Sequence, residues 1–202
     1  MDLLKLEHPC TCIIAAPSQS GKTHLVKLID FKMFHPMPPT IFYCYGKYQP
    51  IFNSMKNVHF EEGLPSNISS LRNALTIIDD LMTELANDFR LSNLFTKGSH
   101  HQNLSVLFLT QNIFVKGKEI RSVNLNSQYL ILFKNPRDKS QIMILARQMY
   151  PGKAKAFQEI FLDATSPDYG YLLIDLRPRA DDRLRLRTGI FPNDICYVYE
   201  PR

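Results

Sequence analysis

The sequence predicts an α/β fold with a mostly parallel central sheet and a C-terminal antiparallel extension. Three observations predict it. Short apolar runs ending in polar residues alternate with helical or loop segments, the pattern of strand-helix-strand units. The run Cys12-Ile13-Ile14-Ala15 passes through the turn APSQSGKT, Ala16 to Thr23, into the helical run His24-Leu-Val-Lys-Leu-Ile. The last apolar runs follow one another without helical segments between them, which suits added antiparallel strands.

Each element follows from local pattern. Cys10 to Ala15 is the first strand, followed by the turn and a helix from Lys22 to about Phe34. Pro36 to Pro39 ends that helix, because proline lacks the amide hydrogen that a helix interior requires. Ile41 to Tyr45 is the second strand, closed by Gly46, and Val58 to Phe60 a short edge strand. Ala74 to Ile78 is a continuous apolar strand ending in Asp79-Asp80. Leu104 to Leu109 ends in Thr110-Gln111, and Tyr129 to Phe133 in Lys134-Asn135-Pro136-Arg137. Helices are expected from Asp138 to about Met149 and from Gly152 to about Phe161. The late strands are Tyr171 to Leu176, Leu184 to Arg187 and Cys196 to Tyr199, with a turn over Pro178 to Asp182. The chain, 1–202, reads as one domain in which 170–202 is a β extension of the core. No internal repeat is visible.

Composition agrees with a globular domain: 45% of the 202 residues are apolar, enough for a sizeable core. No predominantly apolar run of about 18 residues occurs, so no membrane insertion is expected. The opening MDLLKLEHPC carries acidic residues and no long apolar core, unlike a signal peptide. The net charge of +5 is uneven: residues 1–115 hold nine Lys/Arg and nine Asp/Glu, whereas 116–202 hold fifteen and ten. That asymmetry permits an acidic partner without establishing one. Cys10, Cys12, Cys44 and Cys196 lie in apolar runs, and His8 alone does not complete a zinc site with them. They read as small buried hydrophobes in a reducing compartment.

The turn carries the chemistry. A strand, a glycine-bearing turn and a helix N-terminus make a concave anion site from successive backbone N–H groups. Ala16, Pro17, Ser18, Gln19, Ser20, Gly21, Lys22 and Thr23 would cradle the phosphates of ATP, with the Lys22 ammonium on the outer phosphates and the Thr23 hydroxyl on Mg2+. Ala16 stands where the usual G-x-x-x-x-G-K-[ST] pattern has its first glycine. A Ser-Gly turn without a ligand is the bland alternative. Asp79, directly after its buried run, is expected on Mg2+, and Asp80 is expected to orient or deprotonate the water attacking the γ-phosphate. The competing role for the pair is to cap a helix near Met82 to Leu91. Gln111, at the tip of the next strand, would hold that water or sense the γ-phosphate, with Asn112 as a second polar candidate and a plain surface turn as the alternative.

The segments IIDDLM, KGSHHQNLSVLFLTQNIF, FKNPRDKSQIMILARQMYPG and GYLLIDL, in that order between Cys12 and Arg187, resemble the A32-like genome-packaging ATPases of DNA viruses and virus-like transposons, within the wider FtsK–HerA group. The resemblance implies a three-layer P-loop NTPase fold and a ring-forming, Mg2+-dependent ATPase that translocates double-stranded DNA into a capsid. It places Lys22 and Thr23 in Walker A, Asp79 and Asp80 in Walker B, and Gln111 at the polar sensor. It also implies a homo-oligomeric ring, capsid or portal partners, and action at the host-cell site of virion assembly, in nucleus or cytoplasm, or with the virion itself.

A ring ATPase commonly needs a cation at the transferred phosphate. Arg137 is the first choice and Arg147 the second, with Arg90 and Arg121 also open. Lys116, Lys118 and Arg121, in a loop after the Gln111 strand, are candidates for gripping DNA phosphates, together with His100 and His101. Alternation in LRLR puts Arg183, Arg185 and Arg187 on one strand face, facing DNA, another subunit or solvent. A small-molecule kinase, a DNA helicase and a non-hydrolysing nucleotide switch are the alternative functions.

Overall fold

The computed structural model describes residues 5–17, 20–21, 33–114, 117–191 and 194–202. Eleven strands are described: β1 (Leu6–Glu7), β2 (Thr11–Ala15), β3 (Phe34–His35), β4 (Thr40–Tyr45), β5 (His59–Glu62), β6 (Ala74–Asp79), β7 (Leu104–Thr110), β8 (Tyr129–Phe133), β9 (Tyr171–Asp175), β10 (Leu186–Thr188) and β11 (Tyr197–Tyr199). Nine of them form one sheet in the order β11-β10-β9-β8-β2-β7-β6-β4-β5. The six strands from β8 to β5 are mutually parallel, and β9, β10 and β11 add antiparallel to one edge. The expected mostly parallel sheet and its antiparallel extension are both present.

The central strands are buried on both faces, as parallel sheets require, so their residues divide between two cores by simple alternation. Ile13, Ala15, Val106, Phe108, Leu130 and Leu132 face one core, with Leu91, Phe95, Ile120, Leu145 and Phe157 of the covering helices. Cys12, Ile14, Leu107, Leu109, Ile131 and Phe133 face the other, with Met33, Phe34, Phe52 and Ile190. Each fully buried Leu or Ile contributes about 1.5–3 kcal/mol. The helices on the first face are α1 (Met82–Leu85), α2 (Phe89–Asn93), α3 (Ser99–His101), α4 (Lys118–Leu125), α5 (Ser140–Met149) and α6 (Ala154–Ala164). Among the described residues, no helix is long and apolar enough to cross a membrane.

Several expectations are corrected. Most of the helix predicted from Lys22 to Phe34 lies outside the described residues, but Phe34 is not helical. It begins β3, which pairs in parallel with β1, so two short strands close one end of the second core. The predicted helix near Met82 to Leu91 is broken into α1 and α2, followed by a wider π turn over Leu94–Gly98 and then α3. Lys118 and Arg121 lie on helix α4 rather than in a loop, and His100 and His101 are in α3. LRLR is not one strand: Arg183 is in a 3-10 turn, Asp182–Leu184, Arg185 follows that turn, and only Arg187 is in β10.

The arginines depart from the alternation because aspartates compete for them. Arg183 pairs with Asp181 at 2.7 Å and Arg185 with Asp182 at 2.6 Å. Buried Arg187 lies 3.6 Å from buried Asp175, which also takes a two-point contact from Arg177, at 2.9 and 2.7 Å. The Arg177 guanidinium also contacts Glu7 and stands 4.9 Å above the Tyr129 ring.

The cysteines meet expectation: Cys10, Cys12 and Cys44 are buried, Cys196 is half-buried, and all four are free thiols. Burial pushes the Cys10 and Cys44 thiols up to about 12, which keeps them protonated and unreactive. His8 is also buried. Cys10 N–H donates to Ser105 Oγ (3.1 Å), which lies 2.7 Å from His8 Nδ1, while His8 Nε2 lies 3.4 Å from Asn73 Oδ1. This chain of bonds suits a neutral imidazole with its proton on Nε2. Burial, only partly offset by the Asn73 bond, lowers the His8 pKa from 6.5.

Because the unfolded chain then binds more protons than the folded one as pH falls below about 6.5, His8 makes stability decline with falling pH. Urea denaturation from pH 7 to 5 should show that decline, and His8→Gln should flatten it.

Candidate functional site

Strand order brings the polar strand ends together. The β2 connection runs to β4 on one side, whereas β7 connects past β2 to β8 on the other. The order of strands thus reverses around β2, and open α/β sheets bind ligands in the crevice at such a point, beyond the carboxyl ends of the strands. In register, Ala15 stands beside Thr110 on β7 and Leu132 on β8, while Asp79 on β6 stands beside Leu109. Residues Ala16 to Gly21, Gln111 and Asp79 therefore leave three adjacent strands, β2, β7 and β6, at one edge. Asp79 lies two strand spacings, about 10 Å, from β2.

The turn after β2 is anchored at its start. Ala16 is fully buried, and its N–H donates to Thr110 O at 2.9 Å. It is not among the described residues with positive φ, so this position does not demand glycine. The hydroxyl of Ser20 donates to Pro17 O at 2.6 Å and its N–H to the same oxygen at 3.4 Å, which holds Ser20 against Pro17. Gly21 has φ +95°, a conformation that favours glycine. Ser18, Gln19, Lys22 and Thr23 lie outside the described residues.

Asp79 and Asp80 occupy different environments. Asp79 is buried, and its Oδ2 accepts from the buried Tyr43 hydroxyl at 2.8 Å. Burial, then the Asp79 charge and this bond, raise the Tyr43 pKa, so the phenol remains a donor. Asp80 is exposed, with φ +58°. The turn into it fits tightly against Gly46, where a Cβ would lie 2.3 Å from Asp80 O. The competing role as a helix cap does not hold for this pair: Leu81 precedes α1 without a side-chain cap, and Asp79 faces Tyr43 instead.

Gln111 is exposed at the tip of β7 beside a polar network. Asn135 Nδ2 donates to Asn112 Oδ1 at 3.1 Å, and the Arg137 N–H donates to Asn135 Oδ1 at 3.1 Å. The buried Gln141 accepts from Ile113 N–H (2.8 Å) and donates to Asp138 (2.6 Å). Hydrogen bonds from Ser140 and then Gln141 hold the Asp138 carboxyl below the usual range. Pro17, Gln111, Asn112, Asn135, Arg137 and Asp138 line one cavity of about 330 Å³. The structure thus brings Arg137 to the β2 turn. Arg90 is instead engaged by Asp88, at 2.6 Å, Arg121 is on α4, and Arg147 is in the last turn of α5, away from the edge where that helix begins. Lys116 lies outside the described residues.

The described side chains suit a phosphate-bound Mg2+. That ion keeps several waters and takes one or two carboxylates plus substrate phosphates; Asp79 supplies a carboxylate at the same sheet edge as the turn, and no group of three or more His, Cys, Asp or Glu forms a metal cage among the described residues. Tyr43 escaped the sequence reading because, inside an apolar run, its hydroxyl carries no signal of a partner 36 residues away.

Tyr43→Phe removes the donor to a buried carboxylate and should lower stability by about 1–3 kcal/mol. Denaturant melts measure that loss, and an unchanged midpoint would deny the bond any weight.

No family model matches the chain, and no curated protein matches it. Solved structures do. The genome-packaging NTPase B204 from Sulfolobus turreted icosahedral virus 2, in complex with AMPPCP, is 11% identical with TM-score 0.58, over 96% of this chain and 98% of that one. The same protein in complex with ATP-gammaS is 10% identical with TM-score 0.57, over 95% and 97%. B204 of Sulfolobus turreted icosahedral virus, a DNA-packaging ATPase, is 11% identical with TM-score 0.56, over 96% and 98%. The neighbours are thus viral genome-packaging NTPases, the group to which the A32-like resemblance pointed. At these identities the likeness shows a shared fold: this chain has the mostly parallel α/β fold of a P-loop NTPase.

Proposed function

We propose that the chain is an ATP-hydrolysing motor that translocates double-stranded DNA into a viral or virus-like capsid. The observation that carries it is the side-by-side exit of the Ala16–Gly21 turn, Gln111 and Asp79 from three adjacent parallel strands, with Arg137 across one cavity from Pro17. The neighbours' association with DNA packaging and with nucleotide analogues supports the same function.

In this proposal, the turn and Lys22 hold the phosphates, while Thr23 and Asp79 hold Mg2+, with Tyr43 orienting the Asp79 carboxylate. Mg2+ supplies charge neutralisation at the phosphates. Asp80 accepts the proton of the attacking water and Gln111 orients that water. The exposed carboxylate of Asp80 suits a base that must reach solvent, and the hydrogen-bonded bed of Asn112, Asn135 and Gln141 beneath the cavity limits the reorganisation needed to receive a charged phosphate. Arg137 stabilises negative charge on the transferred phosphate, either in its own subunit or from a neighbour in a homo-oligomeric ring. Capsid or portal proteins are the further partners, and the site of virion assembly is the place of action. Exposed Lys118 and Arg121 on α4 are the DNA-gripping candidates, as contacts to phosphate rather than to bases.

Steady-state hydrolysis of Mg-ATP, with and without double-stranded DNA, tests this. Turnover should rise with duplex DNA and fall at least about 10²-fold in Lys22→Ala. Turnover indifferent to DNA points to a kinase or another ATPase, and binding without turnover in a confirmed oligomer points to a nucleotide switch. Strand separation in place of duplex movement identifies a helicase.

Asp80→Asn should lower kcat with little change in KM, as expected for a group acting in the transition state. An equal kcat removes Asp80 from the water-activating role.

A further inference from the structure

We propose that Tyr169 is the platform for the nucleotide base, with the polar groups around it receiving the ribose; this rests on the ATP-binding reading above. Tyr169 lies in the connection between α6 and β9. It is 66% exposed, although a large aromatic ordinarily gains by burial. Its ring is set against the β2 turn: a Cβ on Gly21 would lie 2.8 Å from Tyr169 Cδ1 and 3.4 Å from Cγ. Only glycine at position 21 admits so close an approach.

The connection is built to hold that ring in place. Thr165 Oγ1 donates to Phe161 O (2.7 Å), Ser166 Oγ donates to Asp163 O (2.8 Å), and Gly170 N–H donates to Pro167 O (2.9 Å). A Cβ on Gly170 would sit 2.8 Å from Ala164 O and 2.9 Å from Pro167 O, so the turn is tight where the chain returns to β9. Tyr169 itself has φ +60°, an uncommon and strained conformation for a bulky residue that persists where surrounding structure imposes it. The aromatic ring is thus held beside the phosphate turn at a cost in local stability.

Beside the ring is a cavity of about 420 Å³ whose lining includes Ser20, Lys134, Thr165, Ser166, Asp168 and Tyr169, within the usual size of a small-ligand site. It meets the β2 turn at Ser20, whereas the cavity holding Gln111 and Arg137 meets it at Pro17. A nucleotide whose terminal phosphate faces Gln111 therefore has its opposite end directed to the Ser20 side. The chemistry there matches that end. The Tyr169 face suits a heterocyclic base, the Asp168 carboxylate and Ser166 hydroxyl can accept from ribose hydroxyls, and the Lys134 ammonium suits the innermost phosphate. Stacking reads the base's face and flatness rather than its hydrogen-bonding edge.

Two probes separate base from phosphate: the non-hydrolysable ATP analogue adenylyl imidodiphosphate and inorganic tripolyphosphate, each titrated calorimetrically into the intact protein, Tyr169→Phe and Tyr169→Ala. Tyr169→Ala should weaken the analogue at least about fivefold and leave tripolyphosphate unchanged, with Tyr169→Phe near the intact protein. Equal loss for both probes would mean that the ring only props the turn, and no loss for either would also overturn the platform. Photolabelling of the intact protein by 8-azido-ATP reports independently of whether the alanine variant folds. Label on the peptide around Tyr169 is expected, and label confined elsewhere overturns the platform. If the intact protein binds neither probe, the ATP-binding reading itself falls; if it binds both and ignores Tyr169, only the base platform does.

Discussion

The parallel pairing of β2 with β7, and of β7 with β6, is the constraint on which the rest depends. It sets three strands in one direction, so their carboxyl ends, and whatever residues follow them, open on one edge of the sheet. Because all three strands are buried on both faces, a slip of one residue would exchange the two cores along a whole strand. Packing therefore fixes the height at which Ala16, Gln111 and Asp79 emerge. The turn and the carboxylate are held by the same hydrophobic energy that holds the domain.

Polar groups at this edge are supported from beneath by buried or half-buried partners. Tyr43 reaches from β4 to Asp79 on β6, and Gln141 at the start of α5 reaches the backbone after β7 and Asp138 after β8. These bonds cross between elements, so each fixes one strand end relative to another. Their low-dielectric surroundings make them costly to leave half made, which favours one arrangement of the edge over its neighbours. Arg137 belongs to the same layer through its backbone bond to Asn135, while its side chain stays exposed.

Charge placement also changes meaning once partners are known. The basic excess in 116–202 includes Arg177, Arg183, Arg185 and Arg187, and all four meet aspartates. Arg187 and Asp175 are buried together beneath the antiparallel edge, where removing one partner would strand the other charge. The charge of these four arginines is thereby matched within the β extension, although only Arg187 is buried. Lys118 and Arg121 stand apart from it, exposed on α4.

The amino-acid sequence by itself determined the α/β class, the strand locations within one or two residues for β2, β4, β6, β7 and β8, the helices at Ser140–Met149 and Ala154–Ala164, and the polar residues at the strand tips. Those features are local: apolar runs, chain-breaking Gly and Pro, and the chemistry of Lys22, Asp79, Asp80 and Gln111 are written in consecutive residues. Only the tertiary structure decided that β7 lies between β2 and β6, that Arg137 rather than Arg90 or Arg147 stands beside the turn, that Tyr43 bonds Asp79, and that Tyr169 packs against Gly21. It also decided that Phe34 is in a strand and that LRLR bends into a turn. The physical reason is the same throughout. Periodicity records which side of an element is buried and not what lies against it, so strand order, ion-pair choice and cross-strand hydrogen bonds come from residues tens of positions away in the chain.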